Sequence, residues 1–384
     1  MKVLVRIPVS PYSGYGNDGI GLTEALLRWG ADVYLHPTNV DPPLPNEVAR
    51  LLTKDLTDGV PYDLYINHVS PDLLSVSPEA KASSNFTLGW TMWEYSSLEH
   101  CSNLETMKER LAHFDALASY DAVTKGAMDE YAPSPSFVLQ GGYDPSDWPY
   151  VERDWHGERF SFGMNGQLHE RKDPFVAIQA FQELKNDPEI EFEGAEMHLH
   201  TTVPGLHPMM EKWCPKLRVH YVTWTKAKLR EFYASQHVLL APSRGEGKNL
   251  PALEFMSTGG TVIATNWGGH TGWLSSEYAY PLDYVLRPAD PNSETAQNAR
   301  ASKDHLKELM LHAYRNRGEV QNKAEIAART IPAMCSWDAV VERLFLNLAQ
   351  NVEGGQRVHD LAMASRIPPK RWKRAPTKSE VEIS

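Results

Sequence analysis

The chain has 384 residues and a formal net charge of -11, so it is long for one hydrophobic core, and its body has the wrong sign for general nucleic-acid or polybasic membrane binding. Its three cysteines, Cys101, Cys214 and Cys335, lie far apart with no C-x-x-C pair, which argues against a disulfide framework or a structural zinc site and fits a reducing compartment. No apolar run approaches the roughly 20 residues of a membrane span, and MKVLVRIPV at the start is too short for a signal peptide; a cytoplasmic protein without a transmembrane segment is expected.

In chain order, strands alternate with helical patterns, as in parallel α/β layers. Lys2 to Val9 reads as a strand, Ile20 to Trp29 as an amphipathic helix stopped by Gly30, and Asp32 to Leu35 as a second strand. Asp63 to Asn67 and Thr87 to Trp93 read as buried strands, and Leu104 to Phe114 as a helix. Ala116 to Ser119 and Phe137 to Leu139 complete a first open sheet. Tyr143 to Gly157, rich in Pro, Asp and Trp, reads as a linker. The pattern then repeats, with strands at Phe160 to Asn165, Glu196 to Thr201, Val219 to Val222, Val238 to Ala241 and Thr261 to Thr265. Helices are expected at Pro174 to Leu184, Lys226 to Ser235 and Trp337 to Leu348. The pattern gives two doubly wound, Rossmann-like domains, over 1–150 and 157–335, then a helix over 336–350. The tail 351–384, poor in apolar residues, is expected to lack structure.

The most informative stretch is Pro242 to Thr265, PSRGEGKNLPALEFMSTGGTVIAT. It continues from a strand and sets Glu246 and Glu254 eight positions apart, across the turn Gly247-Lys248-Asn249 and Leu250-Pro251. Pro251 suits the first turn of a helix, where its missing N–H costs nothing. Glu254 is then expected on that first turn and Glu246 in the loop before it, near backbone N–H groups that attract anions. Two carboxylates can bind sugar hydroxyls while the helix N-terminus holds a diphosphate.

This block resembles the E-x7-E donor signature of GT-B glycosyltransferases, specifically retaining family 4. The resemblance implies two Rossmann-like domains facing across a cleft, the first for the acceptor and the second for a nucleotide sugar, with the helix over 336–350 returning to brace the first. Glu246 would bind the transferred sugar and Glu254 the ribose. The N–H groups of Gly247, Lys248, Asn249 and Leu250 would hold the diphosphate. No D-x-D triplet occurs, and the resemblance implies chemistry without a metal or other cofactor. A UDP- or GDP-linked sugar would be the co-substrate and a hydroxyl compound the acceptor.

Other segments carry related marks. Gly166 to Lys172, GQLHERK, resembles the family's G-R-L-x-x-x-K turn, with Lys172 as the diphosphate ligand and Gln167 where arginine is usual; Arg171 or Arg244 could supply the missing charge. Gly268 and Gly269 resemble a turn lining the sugar-phosphate pocket, and Trp224 stands where a base could stack. In the first domain, Ser10 to Gly21 resembles the glycine-rich loop, with Gly14 and Gly16 approaching the donor. His68, at a strand end, matches a histidine that orients the sugar, and Glu94 is the acceptor-side candidate, as a hydroxyl ligand or base.

Two rivals stand beside this reading. A catalytically disabled nucleotide-sugar-binding protein would explain Gln167. A nicotinamide-dependent oxidoreductase would use the G-x-G-x-x-G at Gly14, Gly16 and Gly19, although the second strand runs into His36-Pro37 and supplies no acidic residue. The run Pro368 to Arg374, PPKRWKR, is of a kind that contacts nucleic acid or anionic membranes, though such runs more often form solvated tails.

Overall fold

The computed structural model describes residues 1–52, 61–167, 169–202, 214 and 216–367. Two six-stranded parallel sheets carry the chain. In the first, β1 (Lys2–Val9), β2 (Asp32–Val40), β3 (Leu64–His68), β4 (Thr87–Thr91), β5 (Ala116–Ser119) and β6 (Ser136–Val138) lie in the order β2-β1-β3-β4-β5-β6. In the second, β7 (Phe160–Asn165), β8 (Ala195–Thr201), β9 (Leu217–Tyr221), β10 (Val238–Ala241), β11 (Thr261–Thr265) and β12 (Tyr280–Leu282) lie in the order β12-β11-β10-β7-β8-β9. Strands such as β10 and β11 are continuous apolar or small-residue runs buried along their whole length, as a sheet covered on both faces requires. Strand order reverses between β1 and β3 and between β7 and β10. Crevices at such reversals, beyond the strands' carboxyl ends, are where open sheets take ligands.

Five helices bear on the cleft and the cores beside it: α1 (Gly14–Trp29), α2 (Lys226–Ala234), α3 (Leu250–Ser257), α4 (Trp337–Asn351) and α5 (Gly355–Ser365). α1 begins six residues earlier than the sequence pattern suggests, because the Ser13 hydroxyl caps it by accepting from the Gly16 N–H at 3.1 Å. Its glycine run is therefore helix and not loop. A Cβ at Gly16 would collide with Ser10, one at Gly19 with the Pro8 carbonyl, and one at Gly21 with the Trp337 indole. These glycines let a helix lie close on a strand and on another helix. The phosphate-cradling loop that the nicotinamide reading needs is thus not formed. Gly16 faces Ser10, and Gly14 opens α1 opposite Met92.

The chain departs from expectation in three further places. Leu104–Thr106 is a 3-10 turn and only Met107–Leu111 is α-helical. An unforeseen antiparallel hairpin, β13 (Tyr284–Pro288) with β14 (Gln297–Ala301), comes after the second sheet. The tail is not unstructured from 351. After Gly354 turns the chain at φ 80, α5 packs on the first domain with Val358 and Ala362 buried. Trp29 Nε1 donates to the Ala362 carbonyl at 2.8 Å, and the Ile367 N–H to the Trp29 carbonyl at 2.9 Å. The basic run Pro368 to Arg374 lies outside the described residues.

α4 belongs to the first domain's core. Trp337, Val340, Val341, Leu344, Phe345 and Leu348 pack with β1, β3 and α1 residues such as Val5, Ile66 and Leu22 in one buried cluster. The helix that ends the second domain's span is thereby the first domain's inner face.

Candidate functional site

The loops after β7 and β10 meet at the second sheet's crevice. Glu246, 5% exposed, sits in the loop between β10 and α3. Its Oε1 lies 2.5 Å from Lys172 Nζ and its Oε2 3.3 Å from Arg171 Nη1, both from the turn after β7. Burial pushes this carboxyl up, but Lys172 and then Arg171 outweigh it and hold it down at about 2. Arg171 also donates to the Gly245 carbonyl at 2.6 Å and reaches across the cleft to Glu94 Oε1 at 3.3 Å. Burial raises the Glu94 carboxyl, Arg171 lowers it and Glu246 raises it again, leaving it above its ordinary range. One carboxylate held low, two cations and one carboxyl held above its ordinary range thus share a single crevice.

The Glu246 loop is fixed from below. Asn249 adopts φ 62, a left-handed conformation that Asn tolerates, and its side-chain amide meets His270 Nε2 at 2.9 Å. His270 Nδ1 contacts the Thr265 carbonyl at 2.8 Å. The ring therefore donates through Nδ1 and accepts through Nε2 as the neutral tautomer, which burial favours. The Gly269 N–H donates to the Glu246 carbonyl at 2.9 Å, and a Cβ on Gly269 would strike the Gly247 carbonyl. Gly269 serves here as a close-packed support of the Glu246 loop, while Gly268 holds φ 59 with ordinary space around it.

Glu254 is the fifth residue of α3, one turn deeper than expected. Its Oε2 accepts from the Tyr233 hydroxyl at 3.0 Å, and that hydroxyl accepts from Asn165 Nδ2 at 2.8 Å. Burial pushes the carboxyl up to about 8, more than the Tyr233 hydrogen bond, Lys226 and Lys248 draw it down. Glu254 lines an interdomain cavity of about 230 Å³ together with Asp18, Glu24, Lys226, Lys248 and Trp148.

The remaining candidates divide. Leu250 lines the same cavity. Arg244 is tied to Asp173 at 2.7 Å and to Glu170, so Arg171 and not Arg244 stands beside Glu246. Trp224 stacks face to face on His200 at 4.0 Å and packs near Phe232, with one face already covered. His68 is fully buried. Its Nδ1 meets the Trp90 carbonyl at 2.9 Å and its Nε2 the Tyr120 hydroxyl at 2.7 Å, while the Trp90 ring stacks on it at 4.8 Å. It supports the first sheet's end and does not reach the cleft surface. Asp18, Tyr233, Asn165 and Lys226 escape a sequence reading. Asn165 alone leaves a signal, as the last residue of β7 at a strand reversal.

The profile of the family described as Glycosyl transferases group 1 matches residues 159–300, the domain that holds Lys172, Glu246 and Glu254. Residues 159–300 are thus similar to a group 1 glycosyltransferase domain. Solved structures agree at the level of the fold. Sucrose-phosphate synthase from Thermosynechococcus elongatus superposes with a TM-score of 0.64 at 12% identity, over 95% of this chain and 100% of that one. The E. coli trehalose-6-phosphate structure with bound UDP-2-fluoro glucose gives 0.63 at 12% identity, over 91% and 99%. Anabaena HepE in complex with UDP and glucose gives 0.59 at 13% identity, over 91% and 99%. A comparison with curated proteins finds no sequence match. The chain has the GT-B architecture, two Rossmann-like domains across a cleft.

Proposed function

We propose that this glycosyltransferase moves a hexose from a nucleotide diphosphate sugar to a hydroxyl acceptor, with retention of configuration and without a metal ion. The observation that carries the reading is the Glu246–Lys172–Arg171 cluster at the β7/β10 reversal, facing Glu94 across the cleft. Glu246 takes the hydroxyls of the transferred sugar. Lys172 and Arg171 stabilise the charge that develops on the diphosphate as its bond to the sugar's C1 breaks, and such preorganised electrostatics is usually the largest catalytic contribution. The acceptor oxygen bonds to C1 on the face the diphosphate leaves, and its proton passes to a departing phosphate oxygen. Glu94 orients the acceptor hydroxyl. Glu254, neutral at pH 7, both donates to and accepts from the ribose hydroxyls.

Arg171 offsets the Gln167 departure, because it supplies a second cation beside Lys172 while Gln167 is exposed. This weighs against the disabled-site reading. The UDP, glucose and UDP-2-fluoro glucose bound in the HepE and trehalose-6-phosphate structures make UDP-glucose the first donor to try. The test is a thermal-shift screen of UDP, GDP, ADP, TDP and their hexose conjugates, first without metal and then with magnesium. Stabilisation by one nucleotide series without metal supports the reading; no shift with any compound overturns it.

A further inference from the structure

Lys248 lies two positions after Glu246, and its side chain leaves the donor domain altogether. It is 3% exposed, and its ammonium contacts the carboxylate of Asp18 on α1 and the Gly142 carbonyl just before the linker that starts at Tyr143. It also lies 5.2 Å over the Trp337 ring of α4. Asp18 is fully buried and in turn accepts from the Tyr120 hydroxyl at 2.5 Å. A lysine ammonium has three donors, and here two hydrogen bonds and one aromatic face engage it. Its carbonyl is held too, by Trp273 Nε1 at 2.6 Å. This is a side chain with its partners in place, not one waiting for a ligand.

The other contacts between the domains are less buried or uncharged, the Arg171–Glu94 pair at 3.3 Å being partly exposed. Met92 presses on Gly247 and the Glu94 backbone on Gly245, and Glu99 accepts from the amides of Glu294, Thr295 and Ala296 at the cleft's rim. Only the Lys248 contact joins two buried, opposite charges from the two domains among the described ion pairs. A buried pair adds little stability over an apolar contact, but separating it without water is costly. Such a pair specifies one register of closure and rejects its neighbours.

We propose that Lys248 is a positioning residue that pins the Glu246 loop to Asp18 and to the Gly142 carbonyl, setting the register in which the two domains close over the donor. The catalytic part of this inference rests on the proposed function; the closure part does not. The test compares full-length protein with Lys248→Met and with Lys248→Met/Asp18→Leu, in which an apolar pair replaces the charged one. X-ray scattering reads closure against a compact radius of about 21 Å for a chain of this length. Calorimetry with UDP reads donor affinity, and UDP release from UDP-glucose in the absence of acceptor reads turnover.

The expected result is a larger radius for Lys248→Met, UDP affinity within about threefold of wild type, and turnover reduced by at least about tenfold. The double variant should return to the wild-type radius and recover turnover above the single variant. An unchanged radius and turnover in Lys248→Met would overturn the proposal. So would loss of UDP binding in both variants with the radius unchanged, since Lys248 would then be a charge ligand of the diphosphate. Should the wild-type protein bind and hydrolyse no nucleotide sugar, the proposed function fails, and the radii alone still decide whether Lys248 sets closure.

Discussion

Glu246 and Glu254 share a motif, yet their surroundings push them to opposite protonation states. Glu246 is held down at about 2 beside two cations, whereas burial beside a tyrosine lifts Glu254 to about 8. The raised group makes stability depend on pH. Between its ordinary 4.5 and about 8 the folded chain keeps a proton that the unfolded chain has lost, so this contribution falls as pH rises through that window. Glu254→Gln should therefore melt higher than wild type at pH 8, with a much smaller gap at pH 5, in differential scanning fluorimetry across that range. Lys172→Met, which removes the nearest cation, should lower turnover by about 10²–10³-fold, as read by nucleotide release. Lys172, Arg171, Glu246 and Glu254 are legible in the sequence because each sits in a short block at a strand's carboxyl end. Asp18 is hidden there, since its partner Lys248 is 230 positions away. His68 misleads for a related reason. Its strand-end position is right, but Trp90 and Tyr120, distant in sequence, close over it.

At the scale of elements, alternation and stop signals reveal most strands and helices, because apolar runs bounded by Gly and Pro have few other uses. The glycines of α1 are the exception. Gly14, Gly16, Gly19 and Gly21 suggest a loop, and only the neighbouring Pro8, Ser10 and Trp337 show why a helix needs the last three. Gly21 makes the sharpest test, since any side chain there meets the Trp337 indole where α1 packs on α4. Gly21→Val should destabilise the fold by about 1–3 kcal/mol through overpacking, measured as a lowered urea midpoint. Gly126, which has open space around it, supplies the control: Gly126→Ala should not lower that midpoint. The β13–β14 hairpin escapes a sequence reading because β13 is largely exposed and neither strand shows clean alternation of apolar and polar side chains.

At the scale of the molecule, the two sheets lie on either side of residue 150, while the first core draws in a helix from beyond the second sheet. Trp337, Val340, Val341, Leu344, Phe345 and Leu348 belong to that core. Each is worth about 1.5–3 kcal/mol on burial, together comparable with the whole stability of a typical domain, about 5–15 kcal/mol. A chain cut after Ser336 should lose the first domain's cooperative transition in calorimetry while helix and strand signals from the second persist. The same arrangement governs the order of events at the ribosome. The first six strands leave the exit tunnel early, but the nascent chain must lengthen by nearly two hundred residues before α4 arrives. At ordinary elongation rates that is a wait of roughly ten to forty seconds. Throughout it the apolar surface that α4 later covers, beside α1 on the first sheet, stays exposed, so this half of the protein is the natural client for a chaperone during synthesis.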